Sequence, residues 1–165
     1  MSKQYQITKS FNHFEWIDIC KPDKEELKKI AEAYQLDYFQ IKDSLQPGHL
    51  PKIEIHDRYT FIVLRAFTAN FKTGASTVPE LSNKIAFFFN NEKLITIHST
   101  PFSFLNIQDK PFTSVEDLLL HIIFKMVNSY EQPFEELDTK ITELEKVIFL
   151  KDYTKVSIEN LYFLK

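Results

Sequence analysis

The sequence predicts an α/β fold in the form of an α+β sandwich: a mixed or antiparallel central sheet flanked by helices, with a long C-terminal helical arm. Three observations lead to this prediction. Strand-like and helix-like segments share the first part of the chain, strand-like runs follow in the middle, and apolar residues recur at helical spacing from Ser114 onward. We place the α/β core at residues 1–113 and the helical arm at residues 114–165.

Two extended segments and two helices open the chain. Residues 3–8 and 14–20 have the composition of strands. We expect the first helix to begin at Pro22, because proline is tolerated in the first turn of a helix. A second, short helix is predicted from Asp37, whose side chain can cap its N-terminus, to Leu45.

The middle of the chain is predicted to form β-strands. Their ranges are 52–56, 59–67, 82–89 and 93–98, with a loop at 72–79, a hairpin turn at 90–92 and a short helix near 102–107. The run at 59–67 is apolar throughout, which is typical of a strand covered on both faces. We expect one core that contains Trp16, Phe61, Val63, Phe87, Phe89 and Ile95.

A long amphipathic helix is predicted from Ser114, its N-cap, to about Leu150. Its apolar stripe consists of Leu119, Ile123, Met126, Tyr130, Phe134, Leu137, Ile141, Leu144 and Ile148. Pro133 lies within this pattern and should kink or break the helix. Because the helix outgrows the domain before it, we expect it to meet other helices and the chain to be part of a longer protein.

Composition excludes several classes of function. The net charge of −3 provides no basic field for nucleic acid or anionic lipid. A single cysteine, Cys20, excludes a disulfide within the chain and is typical of a reducing compartment. Only two glycines are present, so neither glycine-rich phosphate-binding motif can be formed. No apolar run approaches the roughly 18 residues of a membrane span, and we expect this part of the protein to be soluble and cytosolic.

No catalytic constellation is recognisable, so we predict that the chain is not an enzyme. The five histidines lie at His13, His49, His56, His98 and His121. Their spacing matches no zinc motif, and surface or capping roles are the simpler interpretation. No serine-nucleophile motif exists, and we interpret Cys20 as a buried structural thiol.

The acidic side of the long helix allows two interpretations. Its carboxylates are Glu131, Glu135, Glu136, Asp138, Glu143 and Glu145. A solvated face is the simpler one; weak attraction of Mg²⁺ or Ca²⁺ is the alternative, because carboxylate oxygens suit these ions. Asp43 has the same two interpretations, since a carboxylate near the end of a helix opposes the helix dipole and a cation would relieve that cost.

Three blocks of the chain resemble the cytosolic N-terminal domain of the CorA-type magnesium and cobalt transporter family. The first runs from WIDI at residues 16–19 through KDSL at 42–45 to LPKIE at 50–54 and the following tyrosine-led strand. The second is KIAFFFNNEKLITIHST at 84–100, which resembles a family hairpin ending in L-[IV]-T-[VI]-H. The third contains VNSY at 127–130 and DTKITELE at 138–145. The resemblance runs from about Phe14 to Phe149.

The resemblance implies a homopentameric, channel-like membrane transporter of divalent cations. In such a protein a cytosolic α/β domain leads through a stalk helix to two membrane helices with a Gly-Met-Asn loop between them. It further implies that Asp43 is a sensor carboxylate for an intracellular cation such as Mg²⁺. The chain departs from the family pattern at Lys42, Asn128 and Ser129, where family members carry acidic residues. We therefore expect weak Mg²⁺ binding, or none, by these residues alone.

Our first hypothesis is the cytoplasmic regulatory domain of a CorA-like Mg²⁺ and Co²⁺ transporter, without nucleic acid as a partner. The full-length protein would lie in the cell membrane, with these residues on the cytoplasmic side. A zinc-transporting member of the same superfamily is the second hypothesis. The third is a soluble protein-binding module that uses the acidic helix. Cation selectivity depends on the pore, which none of these residues forms.

Overall fold

The computed structural model describes residues 5–46, 50–68, 77–107 and 110–149. Six strands form one mixed sheet in the order β1-β2-β6-β5-β4-β3. The strands are β1 (Tyr5–Ser10), β2 (Glu15–Cys20), β3 (Lys52–Ile55), β4 (Thr60–Phe67), β5 (Ser82–Phe89) and β6 (Lys93–His98). All neighbouring strands are antiparallel except β2 and β6, which run parallel. The strands match the predicted ranges within two residues at each end.

Helices cover both faces of this sheet. They are α1 (Lys24–Tyr34), α2 (Tyr38–Leu45), α3 (Val78–Leu81), α4 (Val115–Asn128) and α5 (Glu131–Phe149), with a 3₁₀ turn at Ser103–Leu105. Helices α1 and α2 cover one face, and α4 with residues 102–107 and 110–112 covers the other. The predicted α/β sandwich with a C-terminal helical arm is confirmed.

The prediction of a single core was wrong, because side chains alternate between the two faces of a strand. Trp16 and Phe87 lie in the cluster under α4, with Phe89 packed against it. Phe61 and Val63 lie in the cluster under α1 and α2, as does Ile95. The sheet therefore separates two apolar layers, and each needs its own helix to exclude water.

The two helices of the α1–α2 layer begin at aspartate caps. The Asp23 carboxylate accepts hydrogen bonds from the backbone N–H groups of Glu25 and Glu26, both at 2.9 Å. Pro22 therefore precedes the cap, and the predicted start at Pro22 was two residues early. Asp37 caps α2 as predicted, because its carboxylate accepts from the N–H of Phe39 at 2.7 Å.

The predicted long helix is two helices, α4 and α5, separated at Ser129 and Tyr130. Pro133 is the third residue of α5, where a missing N–H costs nothing because first-turn N–H groups have no partner within the helix. A proline ring clashes with the carbonyl four residues earlier, so a continuous helix through Ser129 is disfavoured. The break therefore lies one turn before the proline. Ser114 caps α4 as expected, accepting from the N–H of Asp117 at 3.2 Å.

The remaining sequence predictions concern connecting segments. The expected helix near 102–107 is the single 3₁₀ turn at Ser103–Leu105. The loop predicted at 72–79 lies partly outside the described residues, and its end forms the one-turn helix α3. The part of the arm from residue 150 to 165 also lies outside them.

Candidate functional site

Asp43, the predicted sensor carboxylate, lies in the last turn of α2 and is half-buried. Its backbone carbonyl accepts a hydrogen bond from the N–H of Gln46 at 3.0 Å, which ends the helix. Lys42, next to it, is exposed. Asp43 thus stands where helix carbonyls lack partners and where positive charge is favoured.

The positive charge at this helix end comes from Lys84 of β5. Its Nζ donates a hydrogen bond to the carbonyl oxygen of Gln46, and the residue is only 7% exposed. Burial, together with the charges of Arg65 and Lys52, lowers the pKa of Lys84 to about 8, whereas the charge of Asp43 opposes the shift. The Lys84 ammonium is therefore near enough to Asp43 for the two charges to interact.

These residues by themselves do not fit a Mg²⁺ site. Mg²⁺ in proteins keeps several waters and needs carboxylates to offset its charge. Among the described residues no group of three or more His, Cys, Asp or Glu side chains is placed to hold a metal ion. An ion at Asp43 would also face the ammonium group of Lys84.

The other two family positions lie on the opposite side of the sheet. Asn128 ends α4, in the layer opposite α2, so one copy of the chain does not bring it to Asp43. Ser129 has a structural contact instead: its hydroxyl accepts a hydrogen bond from the N–H of Phe67 at 2.8 Å and donates to the carbonyl of Met126 at 2.5 Å. The residue ties the end of α4 to the end of β4.

Sequence reasoning missed a buried polar network between β2 and β6. The Trp16 indole N–H donates to Thr96 Oγ1 at 3.0 Å, and the Thr96 hydroxyl donates to Asp18 Oδ1 at 2.5 Å. The same carboxylate oxygen lies 2.9 Å from Nε2 of His98, whose Nδ1 lies 2.7 Å from the carbonyl oxygen of Thr100. Asp18 is 3% exposed, and Thr96 and His98 are fully buried.

The network corrects the expectation that all histidines have surface or capping roles. Both ring nitrogens of His98 lie within hydrogen-bond distance of an oxygen, so the buried ring is held between Asp18 and Thr100. Nearby, burial raises the pKa values of the Tyr5 hydroxyl and the Cys20 thiol, and the charge of Asp18 adds to both shifts. Cys20 is fully buried, as predicted.

A signal for this network exists in the sequence. Asp18 interrupts the apolar run of β2, and Thr96 and His98 are two residues apart on β6, so they point to the same side of the sheet. In the parallel β2–β6 register, Asp18 is opposite Thr96. Trp16 and Asp18 belong to the first motif of the family resemblance, and Thr96 and His98 belong to the second.

In the four described ranges of the chain, no helix is both long and apolar enough to cross a bilayer.

Comparison with known proteins gives a family match and a relative in sequence. The model of the family described as "CorA-like Mg2+ transporter protein" matches residues 11–165. The cobalt/magnesium transport protein CorA of Methanocaldococcus jannaschii is 22% identical over 160 residues, which cover 91% of this chain and 48% of that protein. This chain therefore spans about half the length of the curated relative that it matches.

Solved structures share the fold. The full-length CmaX protein superposes with a TM-score of 0.74 at 13% identity, covering 92% of this chain and 47% of CmaX. The soluble domain of M. jannaschii CorA gives 0.64 at 20% identity, covering 82% and 56%. The ZntB cytoplasmic domain of Vibrio parahaemolyticus gives 0.63 at 17% identity, covering 81% and 55%. Because the family model matches nearly the whole length of this chain, the chain belongs to the CorA-like transporter family, which is a family of transporters and not of enzymes.

Proposed function

We propose that this chain is the cytoplasmic domain of a CorA-like transporter of divalent metal ions, with Mg²⁺ and Co²⁺ as the transported ions. The family match over residues 11–165 carries the proposal. The name of the M. jannaschii relative supports the choice of ions. We further propose that the domain couples the intracellular cation level to the stalk of the transporter.

The regulatory step that we propose involves Asp43. One carboxylate, half-buried and close to Lys84, contributes a single ligand to a divalent cation. A complete site then needs a carboxylate from a neighbouring copy in a homo-oligomer, which we propose to be a pentamer in the full-length protein. In that assembly the cation would bridge two domains, and its loss would weaken their contact.

Two experiments test this proposal. The first is to read the complete open reading frame, and the second is to measure ion flux through the full-length protein. Two apolar spans of about 20 residues each, separated by Gly-Met-Asn, are expected downstream of Lys165. The full-length protein in proteoliposomes should then carry Mg²⁺ and Co²⁺. Flux of Zn²⁺ alone would favour the zinc-transporting alternative. A reading frame without apolar spans would overturn transport and favour the protein-binding module.

A further inference from the structure

A cleft of about 260 Å³ lies beside the C-terminus of α1, at one end of the α1–α2 layer. The start of β4 and the turn between β5 and β6 form its other sides. The side chains that matter here are Tyr34, Tyr59, Arg58, Lys93 and Glu92, all of which line the cleft. Asp43 and Lys84 do not line it, so it is separate from the site described above.

The apolar wall of the cleft is held in place by fixed contacts. The Tyr59 ring lies 5.7 Å from the ring of Phe88, which is 1% exposed. The Tyr59 hydroxyl donates to Gln40 Oε1 at 2.9 Å and accepts from the backbone N–H of Asp37 at 3.2 Å. Tyr34 packs against the same apolar cluster. Two aromatic rings therefore present a preformed surface, which lowers the entropy cost of binding a planar group.

Two cationic side chains, Arg58 and Lys93, lie beside these aromatic rings. Arg58 donates from Nη1 to the side-chain oxygen of Gln35, a neutral partner. Within the described parts of the chain, no carboxylate oxygen lies within 4 Å of the Arg58 guanidinium. Lys93 Nζ lies 5.3 Å from the centre of the Tyr34 ring and 3.6 Å from Glu15 Oε2, a pair that is partly exposed.

The guanidinium of Arg58 favours an anion. Among the residues that line the cleft, Arg58 and Lys93 are positive and Glu92 is negative. Lys93 is already paired with Glu15, so Arg58 is the cation that can take an anionic ligand. A guanidinium presents parallel N–H groups that match the two oxygens of a carboxylate, and Arg58 still has N–H groups beyond the one given to Gln35.

We propose that this cleft binds a small organic acid with a single planar ring. Its carboxylate pairs with Arg58, with the Lys93 ammonium as a weaker, second attraction, and its ring lies against Tyr34 and Tyr59. The volume of about 260 Å³ accommodates a single ring. Because Tyr59 contacts Gln40 and the cap residue Asp37, a bound acid would act on α2 at the end opposite Asp43. The site goes beyond the proposed transport function and does not depend on it.

Benzoate is the probe for this proposal, and the 165-residue chain is the sample. In a ¹H–¹⁵N NMR titration, benzoate should cause saturable shifts at residues 34–36, 58–59 and 90–93. Benzamide lacks the charge and inorganic phosphate lacks the ring, so each should bind at least about tenfold more weakly. Arg58→Gln should weaken benzoate binding about tenfold, and Lys93→Met should weaken it less, since a bidentate pair is stronger than a point charge.

Lys28→Met is the matched control, because Lys28 is exposed, pairs with Glu25 on α1 and does not line the cleft. It should leave benzoate binding unchanged. Absence of saturable shifts with benzoate would overturn the proposal, as would equal affinities of the wild-type chain and Arg58→Gln. Phosphate binding as tight as benzoate would overturn the role of the aromatic wall. Should Arg58→Gln lose its folded NMR spectrum, Lys93→Met decides the same question.

Discussion

Asp18 accepts hydrogen bonds from two buried side chains, Thr96 and His98, and all three residues are at most 3% exposed. A buried carboxylate is costly unless its oxygens are paired. The network around it joins β2 to β6, the one parallel pair in the sheet. We therefore expect these residues to stabilise the fold. The differences from the family pattern that bear on cation binding concern Asp43 and not this network.

Replacing Asp18 by Ala should lower the free energy of unfolding by roughly 3–5 kcal/mol, because it leaves His98 and Thr96 buried without their acceptor. Glu15→Ala is the matched control: Glu15 also forms an ion pair, with Lys93 at 3.6 Å, but its side chain is 48% exposed. Exposed pairs contribute roughly 0–1 kcal/mol. Urea denaturation measures both, and equal losses in the two variants would contradict the role of burial.

Lys84 should make stability depend on pH in the alkaline range. Its pKa is about 8 in the folded chain and about 10.4 for an unfolded lysine. Between these values the unfolded chain binds more protons, so the free energy of unfolding rises with pH through this range. Lys84→Met should lack that rise. Urea denaturation from about pH 7 to pH 10 measures it, and taking the difference between the two proteins cancels the titration of Tyr5 and Cys20.

If the free energy of unfolding of Lys84→Met rises with pH as much as that of the wild type, groups other than Lys84 cause the rise. Lys28→Met, a change at an exposed lysine, should retain the wild-type dependence.

Asp43 should not bind Mg²⁺ tightly in the isolated 165-residue chain, because one carboxylate beside an ammonium gains too little charge neutralisation. Isothermal titration calorimetry should give no micromolar binding of Mg²⁺ to the wild type. In the full-length protein, Asp43→Ala should change gating partially. Micromolar binding that disappears in Asp43→Ala would show that a single chain carries a complete site.

At the scale of elements, the contribution of each β4 side chain to stability depends on the face of the sheet on which it lies. Phe61 is fully buried and stacks on Phe88 with ring centres 4.6 Å apart. Phe61→Ala should cost roughly 3–5 kcal/mol, because the cavity opens between the sheet and the α1–α2 layer. Phe39→Ala removes the same side chain at a position that is 71% exposed, and it should change little. Thermal unfolding followed by circular dichroism compares them; an unchanged melting temperature in Phe61→Ala refutes this placement.

At the scale of the whole molecule, the outer faces of α4 and α5 expose apolar side chains. Leu120, Phe124, Val127 and Phe134 are each at least 60% exposed. Apolar patches of this kind mark contact surfaces. We expect the isolated chain to be a monomer or a weak oligomer in solution, because the pentamer that we propose for the full-length protein would depend mainly on stalk and membrane helices.

Light scattering at increasing protein concentration tests this expectation. A gradual rise in mass that Phe134→Ser reduces would identify the exposed stripe as the contact. A stable pentamer at all concentrations would contradict the prediction.

Much of the fold could be predicted because local patterns carry it. Alternation and apolar runs located the strands of the sheet, and side chains with cap chemistry located the starts of α2 and α4. These signals depend on neighbours within a few residues, so they survive without knowledge of the tertiary structure. The family resemblance also came from local motifs, and the match over residues 11–165 confirms it.

Only the tertiary structure decided the rest, because it depends on residues far apart in sequence. Asp18 and His98 are 80 positions apart and meet through the parallel pairing of β2 and β6. Lys84 reaches the end of α2 from a strand 38 positions after Gln46, and no local pattern announces a cation there. The sequence by itself determined the strands, most of the helices and the family; the pairing of strands and the stacking of layers decided that a buried lysine, Lys84, lies near Asp43.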